Sequence, residues 1–354
     1  MKTSWSVIGV MSGTSLDGLD IALCNFRNDS GKWQYEIVDA ECYNYDKAWK
    51  QKLNDAYKLS GLDLLILHKE YGFFIGDRIN SFLKKDHQKP DLIATHGHTV
   101  FHQPDKKLSF QLGGSAALFA STGIPVVSDF RALDVCLGGQ GAPLVPVGDA
   151  ILFKEYDYCL NLGGIANISY DKDNQRIAFD ICGCNLLLNT VANEIGLDYD
   201  NNGQIARTGK VDQDILNQLN SWQYYAVHPP KSLDKETLLS ELLPLINSLT
   251  NIRSEDKLAT ISEHIATQIV SSVEKRDGSM LVTGGGAFNR NLIDKIREKT
   301  AINIIVPSAV LVEYKEALVF AFLGLLRTLN QTNTLASVTG ANTDSIGGAL
   351  FGEL

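Results

Sequence analysis

Glycine-rich turns follow four strand-like segments of this sequence, and such turns can present backbone N–H groups to phosphate oxygens. They lie at residues 9–18, 113–115, 163–164 and 284–286. Glycine has no side chain that would keep an anionic ligand away from the main chain. One such turn alone is explained equally well as a tight connection between elements. Four turns, three of them with neighbouring hydroxyl or amide side chains, favour a nucleotide-binding cleft.

The first turn also contains the residue types of a magnesium–phosphate site. Its predicted phosphate-binding residues are Gly13, Thr14, Ser15, Leu16, Asp17, Gly18 and Asp20. Magnesium commonly uses one or two carboxylates together with water and the phosphate oxygens of the substrate. We therefore predict that Asp17 binds Mg²⁺, directly or through water. Both acids could instead only stabilise the turn, and for Asp20 neither interpretation is preferred.

Two other nucleotide-binding patterns are missing from the sequence. No G-x-x-x-x-G-K-[ST] string occurs, and no G-x-G-x-x-G opens a helix after a strand. The first absence excludes a Walker-type phosphate loop, and the second disfavours a Rossmann dinucleotide site.

The composition limits the partners that the protein can have. The chain has 354 residues and a net charge of −9, which disfavours nonspecific nucleic-acid binding because that binding depends on cationic side chains. It has neither an apolar run of about 20 residues nor a signal-peptide pattern, so we expect a cytoplasmic protein with no membrane partner. The six cysteines form no disulfide framework and no paired zinc pattern, so we expect reduced thiols.

Two strand–turn–strand patterns, at residues 5–26 and 158–170, have the same form without being copies in sequence. They indicate a chain built from two related halves. Strands alternate with helices in the rest of the chain, which predicts an α/β protein. We expect one domain at 1–150 plus 330–354 and another at 151–329.

Helical periodicity is clearest at residues 257–275, where apolar residues recur every three or four positions. A second helix is predicted from Asn185 to Ile195, with Asn185 as its N-cap. A long helix is predicted from Glu313 to Leu329.

Ten short strings occur in the order that one known family shows. The most distinctive are G-V-M-S-G-T-S-L-D-G-L-D at 9–20 and G-G-Q-G-A-P-L-V-P at 138–146. The others lie at 95–99, 123–131, 161–167, 179–180, 200–209, 229–232, 284–287 and 337–341. Together they cover nearly the whole chain, and the sequence resembles the anhydro-N-acetylmuramic acid kinases.

The resemblance implies a fold, a reaction and its cofactors. The fold would be two actin-like (RNase H-like) domains around a central nucleotide cleft. The enzyme would use ATP and Mg²⁺, add water to the 1,6-anhydro ring of the sugar and phosphorylate the freed O6 oxygen. The product would be N-acetylmuramic acid 6-phosphate, made during peptidoglycan recycling. The partner would be a small anhydro amino sugar, and a homodimer is left open.

The resemblance also implies the site residues. Asp180 would be the general base, Arg131 would bind the lactyl carboxylate and sugar oxygens, and Glu316 matches an acidic position near the sugar. The implied substrate-binding residues are His96, Gly97, Thr99, Arg131 and Asp180. The implied ATP-binding residues beyond the first turn are Gly163, Gly164, Asn167, Gly284, Gly285 and Gly286.

Each of the three catalytic residues has a purely structural alternative. Asp180 could cap a helix or stabilise a turn. Arg131 could form a surface ion pair with Asp129 or Asp134. Glu316 could be an exposed acid on a helix.

The sequence departs from the family at two places. His98 stands where the family commonly has glutamine, and Ile-Cys-Gly-Cys at 181–184 replaces Thr-Gly-Pro-Gly. Asp180 and Asn185 on either side are retained. The changes put sugar specificity and rate in doubt more than the fold.

The departures leave alternatives open. His96, His98 and His102 could bind zinc, although substrate or surface contact is preferred. Cys182 and Cys184 could be reactive thiols, although small buried residues filling a tight loop are preferred. The protein could also be a kinase of another sugar on the same fold, or a nucleotide-binding regulatory protein. A chaperone-type ATPase is disfavoured because the sugar-site strings would then have no role.

Overall fold

The computed structural model describes residues 2–13, 16–85, 87–249, 251–275 and 277–353. The chain forms two compact units. Unit 1 consists of Met1–Leu152 and Tyr314–Leu354, and unit 2 consists of Phe153–Glu313.

The elements follow one another in mixed order. The strands are β1 (Ser4–Ser12), β2 (Gly18–Asp29), β3 (Lys32–Asn44), β4 (Leu92–Thr95), β5 (His98–Gln103), β6 (Leu108–Leu112), β7 (Val126–Ser128), β8 (Tyr158–Leu162), β9 (Ile165–Lys172), β10 (Gln175–Gly183), β11 (Ser279–Thr283), β12 (Asn303–Ile305) and β13 (Ala349–Phe351). The helices are α1 (Lys47–Asn54), α2 (Gly61–Leu83), α3 (Ser115–Thr122), α4 (Ala132–Cys136), α5 (Pro146–Leu152), α6 (Asn185–Glu194), α7 (Gln204–Thr208), α8 (Gln213–Asn220), α9 (Lys235–Glu241), α10 (Leu243–Ser248), α11 (Ser254–Ser271), α12 (Arg290–Lys299), α13 (Ala309–Thr328) and α14 (Ala336–Thr339). Single 3₁₀ turns lie at Ala56–Lys58, Pro104–Lys106, Asn201–Gly203, Gln223–Ala226 and Gly285–Phe288.

Five strands of the main sheet have the same order in both units, and unit 1 has β13 as a sixth strand beside β7. Unit 1 has the order β13-β7-β4-β1-β2-β3, and unit 2 has the order β10-β9-β8-β11-β12. In each unit, three antiparallel strands formed by consecutive hairpins are followed by two parallel strands beside the first of them. This is the actin-like (RNase H-like) order, so the α/β class and the two related halves are confirmed.

The central strand of unit 1 is covered on both faces. Val7, Ile8 and Val10 in β1 are fully buried, as expected for a strand with helices on both sides. A Cβ atom added at Gly9 would lie 1.8 Å from the carbonyl oxygen of Ala317, so β1 and α13 approach as closely as backbones can. Only glycine allows this contact.

That contact also explains where the units divide. The first division follows Leu152, whereas the predicted boundary followed residue 150. The second follows Glu313 and not residue 329, so most of α13 belongs to unit 1. Within unit 1, the ring centroids of Phe322 in α13 and Phe26 in β2 are 5.4 Å apart. Because α13 packs on the strands of unit 1, most of it belongs to that unit, although the sequence predicted it at the end of the second domain.

Unit 2 has its core around α11, which spans Ser254–Ser271 where 257–275 was predicted. Leu258, Ile261, Ile265 and Ile269 on this helix are buried. Val273 follows the end of the helix and packs against the core at its edge.

Two smaller helix predictions had different outcomes. The predicted N-cap of α6 is wrong: Cys184 is the N-cap and Asn185 is the first helical residue. The side-chain amide of Asn185 instead donates to the Leu162 carbonyl oxygen at 3.0 Å. In the part of the chain that the structure describes, no helix is both long and apolar enough to cross a membrane.

Candidate active site

The first glycine turn joins β1 to β2 in unit 1. Leu16 has a left-handed backbone, with φ of 59°, and its N–H donates to the Gly13 carbonyl oxygen at 3.4 Å. Asp17 is exposed beside the turn, and Asp20 is half-buried on β2 opposite Met11. The predicted phosphate ligands Thr14 and Ser15 lie outside the described residues. Within the described part of the turn, Asp17 is therefore exposed at the surface and Gly13 is half-buried.

Ser12, just before this turn, belongs to a buried hydrogen-bond network. Its hydroxyl accepts from the Tyr45 hydroxyl at 2.8 Å and lies 3.3 Å from Nδ1 of His98. The Tyr45 and Tyr71 hydroxyls are 2.6 Å apart. Burial lowers the pKa of His98 to about 4, so its ring is neutral. The histidine that replaces glutamine in the family string thus acts as a neutral hydrogen-bonding group.

Arg131 and His96 form the most direct contact among the predicted substrate residues. Nε and Nη2 of Arg131 lie 3.0 and 2.8 Å from Nε2 of His96, and Nη1 donates to the Gly141 carbonyl oxygen at 2.5 Å. Because Nε2 of His96 accepts, its proton is on Nδ1, which donates to the Gly97 carbonyl oxygen at 2.8 Å. The histidine therefore orients the guanidinium.

The charges agree with that arrangement. Burial, followed by the nearby charge of Arg131, lowers the pKa of His96 to about 3. Burial also lowers the pKa of Arg131, to about 10, so the guanidinium remains cationic at neutral pH. Arg131 has no ion pair with Asp129 or Asp134 among the contacts of the described residues, so the surface ion-pair alternative is wrong.

Gly97 and Thr99 lie on the turn and strand after His96. Gly97 has φ of 72°, and a Cβ atom there would be 2.2 Å from the Leu112 carbonyl oxygen, which explains the glycine. Thr99 is half-buried on β5, opposite Gln111, beside a β-bulge. The structure thus brings His96, Gly97 and Arg131 together and puts Thr99 on the adjacent strand.

Asp134 is a buried acid that the sequence suggested only as an ion-pair partner. Its carboxylate accepts from the Gly141 N–H and from the Thr339 hydroxyl, each at 2.7 Å. The Gln140 N–H donates to the Thr339 carbonyl oxygen at 2.8 Å. Asp134 thereby joins the strings at 138–146 and 337–341 and holds the carbonyl that binds Arg131. No local pattern reveals this role, because the Thr339 donor lies 205 positions away in the sequence.

Glu316 in α13 is half-buried, so the exposed-acid alternative is wrong. Burial, followed by the charge of Asp20, raises the pKa of Glu316, while Lys315 and Arg131 oppose the rise. Lys315 itself is buried and pairs with Asp149 at 2.7 Å, which anchors this part of α13 to α5. Unit 1 thus brings two acids and Arg131 within electrostatic reach of one another.

Asp180 in unit 2 lies near the end of β10, opposite Asn167 of β9, which in turn lies opposite Asn161 of β8. Its Oδ2 atom accepts from the Leu233 N–H at 2.8 Å, and the Tyr224 hydroxyl donates to its carbonyl oxygen at 2.7 Å. Burial raises the pKa of Asp180 to about 6, and the Leu233 N–H opposes that rise. Such a carboxylate is mostly ionised at neutral pH but remains a competent proton acceptor.

The helix-capping alternative for Asp180 is wrong, because Cys184 and not Asp180 is the N-cap of α6. The end of β10 and the N-cap of α6 each carry a thiol. Cys182 and Cys184 are buried, and burial raises the pKa of Cys184 to about 12 and that of Cys182 well above its usual range. They are packed thiols and not reactive thiolates.

The two glycine turns of unit 2 have different surroundings. The carbonyl oxygens of Gly163 and Gly164 accept from the first N–H groups of α6, at 2.9 to 3.1 Å. Gly284 has φ of 80°, and a Cβ atom there would be 2.4 Å from Oδ1 of Asn161. A Cβ atom at Gly286 would be 2.7 Å from that of Leu162. The first turn therefore positions α6, and the second packs tightly on β8.

A cavity of about 550 Å³ opens beside Gly285 and Gly286 in unit 2. Its lining combines the aromatic rings of Tyr199 and Phe288 with a run of side-chain amides. The lining residues are Asn185, Leu188, Asn189, Tyr199, Asp200, Asn201, Asn202, Gly285, Gly286, Phe288, Asn289 and Glu313. The volume suits a small molecule. The string at 200–209, for which no binding role was predicted from the sequence, supplies Asp200, Asn201 and Asn202 to the lining. A second cavity of about 490 Å³ on unit 1, lined by strand residues such as Trp5 and Asp91, contains none of the predicted site residues.

No group of three His, Cys, Asp or Glu side chains within the described ranges is arranged to hold a metal ion. His96 uses Nε2 for Arg131 and Nδ1 for Gly97, so the zinc alternative has no support from geometry.

Comparison with known proteins gives one consistent match. A family model described as anhydro-N-acetylmuramic acid kinase matches residues 5–353. The chain is 32% identical over 371 residues to the anhydro-N-acetylmuramic acid kinase of Sulfurimonas denitrificans, covering 97% of this chain and 98% of that protein. It is 33% identical over 377 residues to the protein of the same description from Haemophilus influenzae, covering 97% of each. Among solved structures, component A of (R)-2-hydroxyglutaryl-CoA dehydratase from Acidaminococcus fermentans is 12% identical with a TM-score of 0.47, covering 92% of this chain and 99% of that one.

Proposed function

This chain belongs to the anhydro-N-acetylmuramic acid kinase family, and from that premise we propose which of its residues carry out the reaction. The enzyme is an ATP-dependent kinase of peptidoglycan recycling. It opens the anhydro ring of 1,6-anhydro-N-acetylmuramic acid with water and converts the sugar to N-acetylmuramic acid 6-phosphate. Because ATP is the phosphoryl donor, we propose that the reaction takes place in the cytoplasm.

The observation that carries the proposal is the environment of Asp180. Burial raises the pKa of this carboxyl group to about 6, and one backbone N–H orients it. A base in such a site can accept the proton of a water molecule as that water attacks the anomeric carbon, as the base of an inverting glycosidase does.

The step balances without a further reactant. The C1–O6 bond and the bond from the γ-phosphorus to its bridging oxygen break, while a C1–OH bond and an O6–P bond form. One proton of the attacking water goes to Asp180 and then to solvent, and the other remains on the new hydroxyl. The leaving O6 takes up the phosphoryl group, which fills the role of the general acid in a glycosidase.

Arg131 is proposed to bind the lactyl carboxylate and sugar oxygens. His96 and the Gly141 carbonyl oxygen accept from three of its N–H groups, which leaves further donors on Nη1 and Nη2. A planar guanidinium with a fixed orientation suits a carboxylate better than a mobile ammonium group. Gly97, Thr99 and Glu316 are proposed to complete the sugar site.

For the nucleotide, the proposed phosphate-binding turn of unit 1 is the one from Gly13 to Gly18, and that of unit 2 is the one at Gly163 and Gly164. The cavity beside Gly285 and Gly286 is of a size for adenosine, and Tyr199 and Phe288 offer aromatic faces to its base.

Mg²⁺ would offset the charge of the phosphates. We propose that Asp17 and Asp20 hold it, directly or through water. The chemistry of the site fits a cation, because burial and then the charge of Asp20 raise the pKa of Glu316. A cation near these acids would offset the repulsion between them.

The test follows the product. The purified protein is incubated with ATP, Mg²⁺ and the anhydro sugar in water enriched in ¹⁸O, with N-acetylglucosamine and glucose as comparison acceptors. We expect a product heavier than the substrate by one water and one phosphoryl group, with the label on C1 and none on the phosphate. Phosphorylation of a comparison acceptor alone would indicate a kinase of another sugar, and nucleotide binding without turnover would indicate a regulatory protein.

A further inference from the structure

Asp180 lies where the sheet of unit 2 is irregular. Strand β10 pairs with β9 at Asp180 and Asn167, and the pairing resumes at Cys182 and Ala166, so one residue of β10 bulges between them. A β-bulge interrupts the regular ladder and changes the direction of nearby side chains. The orientation of Asp180 must therefore come partly from contacts outside the sheet.

Residues 223–233, which follow α8, supply those contacts. The Tyr224 hydroxyl donates to the Asp180 carbonyl oxygen at 2.7 Å, and the Asp180 N–H donates to the Lys231 carbonyl oxygen at 3.3 Å. The Leu233 N–H donates to the carboxylate at 2.8 Å. One segment thus holds the main-chain N–H, the main-chain carbonyl and the side chain of the same residue.

The ammonium group of Lys231 holds this segment together. Its Nζ atom donates to the Tyr224 carbonyl oxygen at 3.2 Å and lies 4.4 Å from the centre of the Tyr224 ring. It is also 5.8 Å from the ring of Phe179, the neighbour of Asp180. Lys231 forms no ion pair with a carboxylate within the described part of the chain. Its charge is held by aromatic faces and a carbonyl, which is the arrangement of a cation–π contact.

The neighbouring tyrosine is tied to the core. The Tyr225 hydroxyl lies 2.9 Å from Nε2 of His264 in α11, and Nδ1 of His264 lies 2.7 Å from Oδ1 of Asn220 in α8. Since Asn220 Oδ1 only accepts, the proton of His264 is on Nδ1, and Nε2 accepts from Tyr225. The hydroxyls of the two adjacent tyrosines therefore have separate partners: that of Tyr225 contacts His264, and that of Tyr224 contacts Asp180.

We propose that Tyr224 and Lys231 are positioning residues that hold the Asp180 carboxylate in the orientation it needs as a base, a role that rests on the proposed function. The residues do not touch reacting atoms in this scheme. They act through the backbone of Asp180 and through the loop that carries the Leu233 N–H.

The test uses Tyr224→Phe and Lys231→Met, with Tyr225→Phe as the matched control. Each tyrosine variant loses one hydroxyl from the same aromatic cluster, but only the first hydroxyl reaches Asp180. We expect kcat to fall about tenfold in Tyr224→Phe and Lys231→Met, because small misplacements of a reacting group are costly. The KM for ATP should stay unchanged, Tyr225→Phe should keep the wild-type kcat, and Lys231→Arg should restore most of the activity.

The pH dependence of kcat/KM distinguishes a positioning role from a purely structural one. The titratable groups around Asp180 are Lys231, Tyr224 and Cys182. The Leu233 N–H lowers the pKa of Asp180, so loosening its loop in Lys231→Met should move the acid limb of kcat/KM to higher pH. Carbon-13 labelling of aspartate carboxyl groups, with Asp180→Asn to assign the signal, should show the same shift without turnover.

The outcomes separate this inference from the proposed function. If Asp180→Asn is inactive while Tyr224→Phe and Lys231→Met behave like Tyr225→Phe, the positioning role is wrong and the base stands. If Lys231→Met instead raises the KM for ATP and leaves the acid limb in place, Lys231 binds nucleotide and the inference is overturned. If Asp180→Asn keeps full activity, the role of Asp180 itself fails.

Discussion

Five strands have the same order in both units, but the acidic residues Asp20 and Asp180 lie on different strands of that order. The first three strands of each unit place residues side by side in rows. The row second from the β1–β2 turn can be compared with the row second from the β8–β9 turn. The row is Met11, Asp20 and Cys42 in unit 1 and Asn161, Asn167 and Asp180 in unit 2. The acid is on the second strand in unit 1 and on the third in unit 2. A repeated topology thus provides equivalent positions, and the residue type at each position decides its chemistry.

The turns beside these rows differ in the same way. In unit 1, residues 13–17 separate the paired strands, whereas in unit 2 the turn is Gly163 and Gly164. The carbonyl oxygens of the shorter turn accept from the first N–H groups of α6. The longer turn has more residues between its strands, and the shorter one is partly used to position a helix.

The largest difference between the units is expected when the residue on the third strand of each row is substituted. Asp180→Asn should lower kcat by about 10²- to 10⁴-fold, because it removes the proposed general base. Cys42→Ser, at the equivalent position of unit 1, should leave kcat close to that of the wild type. Steady-state kinetics on both variants checks this. Equal losses in the two variants would mean that the row in unit 2 has no special role.

The same substitution should raise stability. Burial raises the pKa of Asp180 from its ordinary value of 3.8 to about 6, so folding disfavours the ionised form. The wild type should therefore lose free energy of unfolding as the pH rises from about 4 to about 6, by up to about 3 kcal/mol. Asp180→Asn lacks this loss and should be more stable than the wild type above pH 6 and similar below pH 4. Urea unfolding at several pH values measures the difference, and a constant difference across that range would contradict it.

A third experiment compares the backbones of the first strands. Gly9 in β1 contacts α13, and the position equivalent to it in β8 is Cys159. Gly9→Ala should destabilise the protein by about 1–3 kcal/mol, because its Cβ atom would overlap the Ala317 carbonyl oxygen. Cys159→Ala removes a buried sulfur without overlap and should cost less. Thermal unfolding of both variants tests the order, and an equal or reversed order would show that α13 can move away from β1.

The smallest expected effect is on the KM for the sugar, through Arg131 in unit 1. Arg131→Lys should raise the KM for the sugar about tenfold, or about 1.4 kcal/mol, because lysine cannot reproduce the guanidinium contacts to His96 and Gly141. Arg27→Lys is a fair control, since Arg27 forms an exposed ion pair with Asp29. Initial rates at varied sugar concentration check both variants. A larger effect on the KM for ATP than on that for the sugar would assign Arg131 to the nucleotide.

Much of the fold could be predicted because its signals are local. The apolar spacing at 257–275 predicted α11 to within a few residues, and the two hairpin patterns predicted the related halves. The boundary inside α13 was missed because packing on β1 decides it. The N-cap of α6 was missed because the Asn185 amide binds a carbonyl of a different strand.

The sequence by itself determined the α/β class, the glycine turns and, through its family strings, the residues proposed to act on the sugar. These depend on residue type and on short spacings, which a linear pattern preserves. Only the tertiary structure decided how those residues are held. Asp134 receives a hydrogen bond from Thr339, 205 positions away, and Leu233 reaches Asp180 across 53 positions. Such partners come together because burying a charged or polar group requires hydrogen bonds from whichever segments the core brings near it, and that requirement leaves no mark in local sequence.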